Sequence, residues 1–546
     1  MGVCIGVNPK LLLTQNIASR SGKIDIKTVQ IFIFCLYIYN LLPQVFVVPT
    51  GIEGFENAIA NHIDSFNQNL DSALPAYNFQ NRPGEFQIYL LFKALFPSID
   101  ALVIGQFLST TAYLLSAIAV AKIAEKLQFS SKQSALIAFG IAFSLSASAS
   151  QPSSSNLAMV ALLWGIYLSI PAGSILFKLY AVVFLGLAIF LRLDSVMFTW
   201  LVIPASILAI GVSKNALIRS ASLLFLSTLL GFLFYLSVGI DPIRTLTGAN
   251  PSQAELFSLG LMAQIIYVLS PFFGPLALLG VWNYTRREQK RPIAYSMFMT
   301  LTFAPFILTL LIYKTKIDTP RFLNIGLALM SLAVAAGIEY LRKLQISRIR
   351  KTMTFSAIAL VICVSLINRI PFGISEGFRS IHASYLTPLE IFELKKFLHS
   401  TEHKVLLEIE AATLNKPSTD IQIVVTGWNQ INYVHRNLLS LGAKILRYEK
   451  VTAGLTVGVI IPVWKMDESE IRVYPFEFTR EFKTIDDAKT SIREFNKKGK
   501  TYLLSGFVPL SQADDYLCMS KSTQFLGQFN EYGYGYTTWT SFSKTC

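Results

Sequence analysis

Residues 29–48, VQIFIFCLYIYNLLPQVFVV, are followed after Pro49 and Thr50 by residues 51–86, GIEGFENAIANHIDSFNQNLDSALPAYNFQNRPGEF. The first stretch carries no charge and has about the ~20 residues that a helix needs to cross a hydrocarbon layer. The second gathers Glu53, Glu56, Asp64, Asp71 and Glu85 beside one basic residue, Arg82. An apolar span that delivers the chain into a carboxylate-rich loop is a membrane pattern, and the rest of the chain repeats it. Of 546 residues 53% are apolar, only 15% are charged, and 40 are Phe. That composition excludes an ordinary soluble protein and predicts an α-helical polytopic membrane protein.

The net charge of +14 invites a nucleic-acid reading. Its distribution removes that reading. Residues 371–546 are nearly balanced, with 20 basic against 19 acidic residues, whereas residues 1–370 hold 27 against 14. The excess follows the loops between apolar runs, as the positive-inside rule requires, and no basic groove for a phosphodiester chain is needed to account for it. Lys10, Arg20, Lys23 and Lys27 precede the first span, which places the N-terminal segment, residues 1–28, in the cytoplasm and the acidic loop outside. The long first run lacks a small-x-small cleavage pattern and reads as a retained span.

Further on, residues 87–96 are apolar but too short to cross and read as an interfacial helix. Spans are expected near 101–121, 134–149, 157–170, 175–191, 196–211, 220–239, 259–282, 293–313, 322–341 and 353–367, which makes about eleven crossings. With this threading the inside holds 19 of the 27 basic and 4 of the 14 acidic residues, and the outside 8 and 10. Arg286, Arg287, Lys290 and Arg291, then Arg342, Lys343, Arg348, Arg350 and Lys351, mark the inside most strongly. The membrane domain thus occupies 29–369, with an extracytoplasmic loop at 49–100.

After Ile370 the long apolar runs stop. Strands are expected at 404–409, 421–426, 443–448, 455–462 and 501–505, with helices at 388–399 and 429–441. Residues 370–546 therefore read as an extracytoplasmic α/β domain. Gly427 lies between a strand and a helix, but no GxGxxG or phosphate loop surrounds it. The cysteines have no metal-ligand spacing; Cys35 and Cys363 fall in apolar runs and read as small buried side chains, and only Cys518 and Cys546 are placed to pair.

On the outside, the span ends carry Asn156, Arg192 with Asp194 in LRLDSV, Arg244, and Lys314, Lys316, Asp318 and Arg321 in YKTKIDTPRF. Arginine forks and lysine point charges at a membrane surface suit a lipid phosphate, and a nearby carboxylate suits a general base.

Four segments carry a family resemblance: GIEGFENAIANHI after the first span, NRPGEFQIYLLFKALF before the second, LRLDSV after the fifth, and TPRFLNIGLALMSLAVAAG entering a late one. The layout resembles the GT-C class of integral membrane glycosyltransferases over residues 29–341. The resemblance implies transfer of a hexosyl or pentosyl unit from a polyprenyl-phosphate donor to a glycan, lipid or protein acceptor at the extracytoplasmic face of a bacterial inner membrane. It makes Glu53 the residue that takes the acceptor proton, with Glu56 as its rival, because the class often shows an adjacent acidic pair and this chain has Glu-Gly-Phe-Glu. It assigns the donor phosphate to Arg321, with Lys314, Lys316 and Arg192 as helpers, and leaves Asp194, Arg82 and Glu85 as further site candidates. No metal ligands and no cofactor are assigned, and the chemistry leaves room for a divalent metal.

Each assignment has an ordinary counterpart. Glu53 and Glu56 suit a solvated helical first turn; Arg192 and Asp194 suit an ion pair snorkelling at a helix end; Asp64, Asp71 and Glu85 suit a loop surface, with Glu85 beside Arg82 as a local pair. A lipid-linked glycan polymerase or ligase would share the outer arginine. A secondary transporter would need ionisable groups at mid-membrane and broken helices in matching halves, and a receptor or scaffold would tolerate loss of Glu53.

Overall fold

A computed structural model describes residues 26–46, 63, 82–146, 154–170, 174–248, 273–287, 292–312 and 323–343, short pieces between 388 and 399, and seven strands between 421 and 541. Twelve helices stand among the described residues: α1 Ile26–Val45, α2 Pro83–Leu95, α3 Ala101–Lys126, α4 Lys132–Ser146, α5 Ser154–Ser169, α6 Ile175–Leu191, α7 Ser195–Leu208, α8 Lys214–Ser237, α9 Pro242–Gly248, α10 Phe273–Arg287, α11 Pro292–Ile312 and α12 Asn324–Lys343. The apolar runs expected at 29–48 and between 101 and 341 fall on these helices within the described residues, and the first part of the run expected at 259–282, residues 259–272, lies outside them. The run expected at 353–367 lies outside the described residues, as do the strand at 404–409 and the helix at 429–441.

Side chains start several helices. Asp100 Oδ1 accepts from the Leu102 N–H at 2.7 Å, Ser174 Oγ from Leu176 at 3.2 Å and Ser213 Oγ from Ala216 at 3.1 Å, which satisfies donors that the first turn leaves unpaired. The end of α3 is closed by a double hydrogen bond. Phe129 N–H reaches Ala124 O at 2.9 Å and Gln128 N–H reaches Glu125 O at 3.0 Å, with Gln128 at φ 56° where glycine is usual. This turn drives Phe129 into the core, where its ring meets Tyr284 and Phe298 edge-on.

The bundle is built around α12, whose apolar segment is 83% buried. It packs against α4, α10 and α11, and more lightly against α3 and α5. Glycines set the closest approach: a Cβ on Gly280 of α10 would strike the Ala333 carbonyl, and one on Gly337 of α12 would strike the Leu276 carbonyl. At its C-terminal end, Glu339 accepts from Ser131 at 2.9 Å and Ser134 at 3.0 Å and pairs with Lys343 at 3.3 Å, which ties α12 to the start of α4. On α1, Asn40 Nδ2 donates to Tyr113 Oη at 2.9 Å and Gly140 O at 3.1 Å, so one amide joins α1, α3 and α4.

Among the described residues four helices are long and apolar enough to cross a membrane: Ala101–Lys126, Lys214–Ser237, Ile293–Leu311 and Asn324–Lys343. Val29–Val45, Ser155–Ser169, Ile175–Leu191 and Ser195–Leu208 are apolar and shorter. Phe34, Phe107, Ile175, Phe225 and Leu278 point outward, as expected where the solvent of the outer surface is lipid. The protein is an integral membrane protein.

Beyond α12, Ile391 and Lys395 are buried, and Lys395 Nζ donates to Pro43 O at 2.9 Å in the last turn of α1, where a helix leaves carbonyls unpaired. The strands β1 Ile421–Thr426, β2 Lys444–Ala453, β3 Leu455–Val463, β4 Arg480–Phe482, β5 Lys500–Ser505, β6 Thr523–Gly527 and β7 Thr537–Ser541 form one sheet in the order β4-β2-β3-β1-β5-β7-β6. β1 pairs antiparallel with β3 and parallel with β5, so the sheet is mixed. The strands expected at 421–426, 443–448, 455–462 and 501–505 correspond to β1, β2, β3 and β5. β4, β6 and β7 escaped the sequence reading because they are three to five residues long and lack a run of apolar residues.

Two expectations are corrected. Cys35 is exposed on the outer surface of α1 instead of being a small core residue, because α1 turns Leu36, Tyr37 and Asn40 inward and leaves the opposite face to lipid. Glu85 is fully buried and not part of a loop surface, for the reason given next.

Candidate functional site

The polar groups that the sequence places at span ends meet at one end of the bundle, where α6 stops and α2, α5, α7 and α12 start. Arg192 follows the last residue of α6, and the chain turns sharply there: Ser195 N–H bonds to Arg192 O at 2.9 Å and Val196 N–H to Leu193 O at 3.1 Å. Asp194 occupies the N-cap of α7, where an aspartate ordinarily caps the helix. Here no capping bond forms and the carboxylate turns back to Arg192.

The pair is bidentate. Nε donates to Oδ1 at 3.0 Å and Nη2 to Oδ2 at 2.5 Å, while Nη1 donates to Ser155 Oγ in the first turn of α5. The side chains are only 9% and 16% exposed, so the pair does not snorkel into water. A fork held from two sides is fixed in orientation, which a flexible ammonium at this point could not be.

Next to Ser155, Asn156 donates to Ser109 Oγ of α3 at 2.6 Å and accepts from Asn324 Nδ2 at 2.5 Å. All three are buried. Adjacent residues of α5 thus connect the Arg192 pair to the first residue of α12. Gln106, one helical turn before Ser109, is buried as well.

The start of α2 enters the same place. A Cβ on Gly84 would lie 2.9 Å from both the carbonyl carbon and oxygen of Phe190, so only glycine lets α2 lie directly on the end of α6. This contact draws Pro83, Gly84, Glu85 and Phe86 into the bundle, which is why Glu85 is buried. Tyr89 covers Gly105 of α3, and Ile63, from the acidic loop, packs with Phe86 and Tyr89. Tyr235, fully buried near the end of α8, is hydrogen-bonded to the backbone of Leu193 and lies within electrostatic reach of Arg192, Asp194 and Arg82.

Of the candidate residues, the structure brings together Arg192, Asp194 and Arg82, with Glu85 on the same first turn as Arg82. Glu53, Glu56, Lys314, Lys316 and Arg321 lie outside the described residues. Among the described residues no three His, Cys, Asp or Glu side chains converge in a way that would hold a metal ion. Ser155, Ser109, Asn324 and Tyr235 were missed by the sequence reading. Asn324 had a signal: it is an uncharged polar residue three positions after Arg321, at the start of a mostly apolar span.

No family model and no curated protein matches the chain. Solved structures do resemble it in overall path. Crystal structures of ArnT from Cupriavidus metallidurans align with 94–95% of this chain and 97–98% of theirs, one bound to undecaprenyl phosphate at 11% identity and TM-score 0.48, the other apo at 12% and 0.47. The Archaeoglobus fulgidus oligosaccharyltransferase tethered to an acceptor peptide is similar over 62% of this chain and 53% of its own, at 12% identity and TM-score 0.40. None of these likenesses assigns a role to a residue.

Proposed function

We propose that the protein is a glycosyltransferase of the GT-C kind, moving a hexosyl or pentosyl unit from a polyprenyl-phosphate donor to a glycan, lipid or protein of the cell envelope. The observation that carries this reading is the continuous buried chain Asp194, Arg192, Ser155, Asn156, Asn324. It spends several kcal/mol of desolvation on an ion pair at a helix junction. It also joins that junction to the helix whose preceding residues are Lys314, Lys316 and Arg321.

The bidentate carboxylate nearly cancels the charge of Arg192 while fixing its orientation. Net attraction for a donor phosphate then rests on Arg82, Arg321, Lys314 and Lys316, with Arg192 as an oriented hydrogen-bond donor. Glu53 or Glu56 takes the proton of the acceptor hydroxyl as its oxygen attacks the anomeric carbon, and the polyprenyl phosphate leaves with the bonding electron pair, its charge met by the cations. In this reading about eleven spans place residues 1–28 in the cytoplasm and residues 370–546, as an α/β domain, on the extracytoplasmic side with the site.

The test is a transfer assay with purified protein and a radiolabelled polyprenyl-phosphate sugar, alongside the envelope glycans of cells carrying each variant. Glu53→Gln or Glu56→Gln should lower transfer by about 10²-fold or more, whichever is the base, and Arg321→Ala by about 10²–10³-fold. Normal transfer in all three variants, each present in the membrane at ordinary level, refutes the enzymatic reading.

A further inference from the structure

A second feature lies at the other end of the bundle. Helices α6 and α8 run parallel and touch closely where Gly231 meets Ile189 and the Gly186 carbonyl. Toward their N-terminal ends they part, leaving a cleft of about 1220 Å³ closed behind by the end of α7. This exceeds the roughly 300–1,000 Å³ of pockets for small molecules. Its wall is a trough of leucines and valines, and Leu226, Leu229 and Leu233 are 45–50% exposed at its edge, so it opens sideways toward the lipid. Its charged groups collect at one end, Lys178 in the first turn of α6 and Arg219 in the second turn of α8, with Ser213 and Asn215 beside them and Ser222 about one turn further along α8.

The lining holds two cations and no carboxylate. Arg219 Nε is buried and has no hydrogen-bond partner among the described residues. A guanidinium nitrogen withdrawn from water without an acceptor is unfavourable, and it is satisfied by an anion that enters the cleft. An apolar trough that opens laterally and ends in two cations and two small polar side chains is complementary to one kind of molecule: acyl chains joined to a phosphate. Arg192 lies 14 residues beyond Lys178, about 21 Å along α6. The cationic end of the cleft is therefore separate from the proposed donor site.

We infer that this cleft binds an anionic glycerophospholipid of the surrounding bilayer, its phosphate on Arg219 and Lys178 and its chains along Val182, Leu226 and Leu230. The inference does not depend on the proposed reaction.

Native mass spectrometry of the full-length protein in a neutral detergent, titrated with dioleoyl phosphatidylglycerol or dioleoyl phosphatidylcholine, reads the site directly. One phosphatidylglycerol should bind in preference to phosphatidylcholine. The double variant Lys178→Gln, Arg219→Gln should bind it about thirtyfold more weakly, from roughly fivefold per cation facing an anionic lipid. Lys214→Gln, the same change of charge at the same helix end but outside the lining, should leave affinity unchanged. Arg219→Lys should retain most of it, and Ser222→Trp should block both lipids by filling the trough. Equal binding of the two lipids, unchanged binding by the double variant, or displacement of phosphatidylglycerol by a substoichiometric polyprenyl phosphate would each overturn the inference.

Discussion

The site depends on a few side chains whose replacement separates charge from geometry. In Asp194→Asn, Arg192 keeps its buried position and loses its carboxylate, a loss of about 3–5 kcal/mol for a buried pair; the slight exposure of both side chains favours the lower end. Replacing both partners by leucine should cost less than the single change, because no uncompensated charge stays behind. Thermal unfolding of the detergent-solubilised variants measures both. If the single variant melts like the wild type, the pair is not a structural clamp. Asn324→Ala removes one buried hydrogen bond to Asn156 and should cost about 1 kcal/mol in the same assay. In transfer, Arg192→Lys keeps the charge and loses the fork. A drop in rate with unchanged donor affinity would show that Arg192 acts through orientation.

At the scale of the elements, glycines decide how near the helices come. Gly337→Ala places a methyl group against the backbone of Leu276, which cannot rotate away, and α10 must move off α12. Overpacking of this kind costs about 1–3 kcal/mol. Gly211→Ala meets open space and should be neutral or stabilising by up to about 1 kcal/mol through the unfolded chain. Equal melting temperatures for the two variants would mean that the contact of α10 with α12 is not close. Gln128→Gly should stabilise the protein by up to about 1 kcal/mol, since Gln128 is exposed and sits at positive φ in the turn that ends α3. Gly84→Ala belongs here too. By lifting α2 from Phe190 it should lower transfer while leaving the rest of the bundle folded, as judged by helical ellipticity.

For the whole molecule the prediction is topological. From the uneven charge of residues 1–370, the turn between α3 and α4 is expected inside and the α8–α9 turn outside. In a background without the native cysteines, Lys132→Cys should react with an impermeant maleimide only in inverted vesicles, and Asp241→Cys only in intact cells. The opposite pattern would place the Arg192 site in the cytoplasm and remove the proposed donor.

Much of this architecture was legible beforehand, since a hydrocarbon solvent enforces long uncharged runs and flanking charge. Helices α1, α3 to α8, α11 and α12 lie where the apolar runs end at charges, caps or turns, and α10 forms the second half of the run expected at 259–282. Arg192 and Asp194 stood out as charges in a chain that has few. What the sequence could not settle was which face of a helix looks inward and which helix ends meet. Hydropathy reads lipid-facing and core-facing residues alike, so Cys35 could not be told from Leu36. Glu85 read as loop surface because its burial is caused by Gly84 lying on Phe190, more than 100 residues away in the chain. Ser155, Asn156 and Asn324 are ordinary polar residues until the packing of α3, α5 and α12 lines them up. Sequence alone determined that the chain enters the membrane and where its apolar helices lie, because partition between water and hydrocarbon is a local property of each segment. Only the tertiary structure decided that Arg192 is clamped, that Glu85 is buried and that Arg219 borders an open cleft, because those depend on distances between segments that no local property fixes.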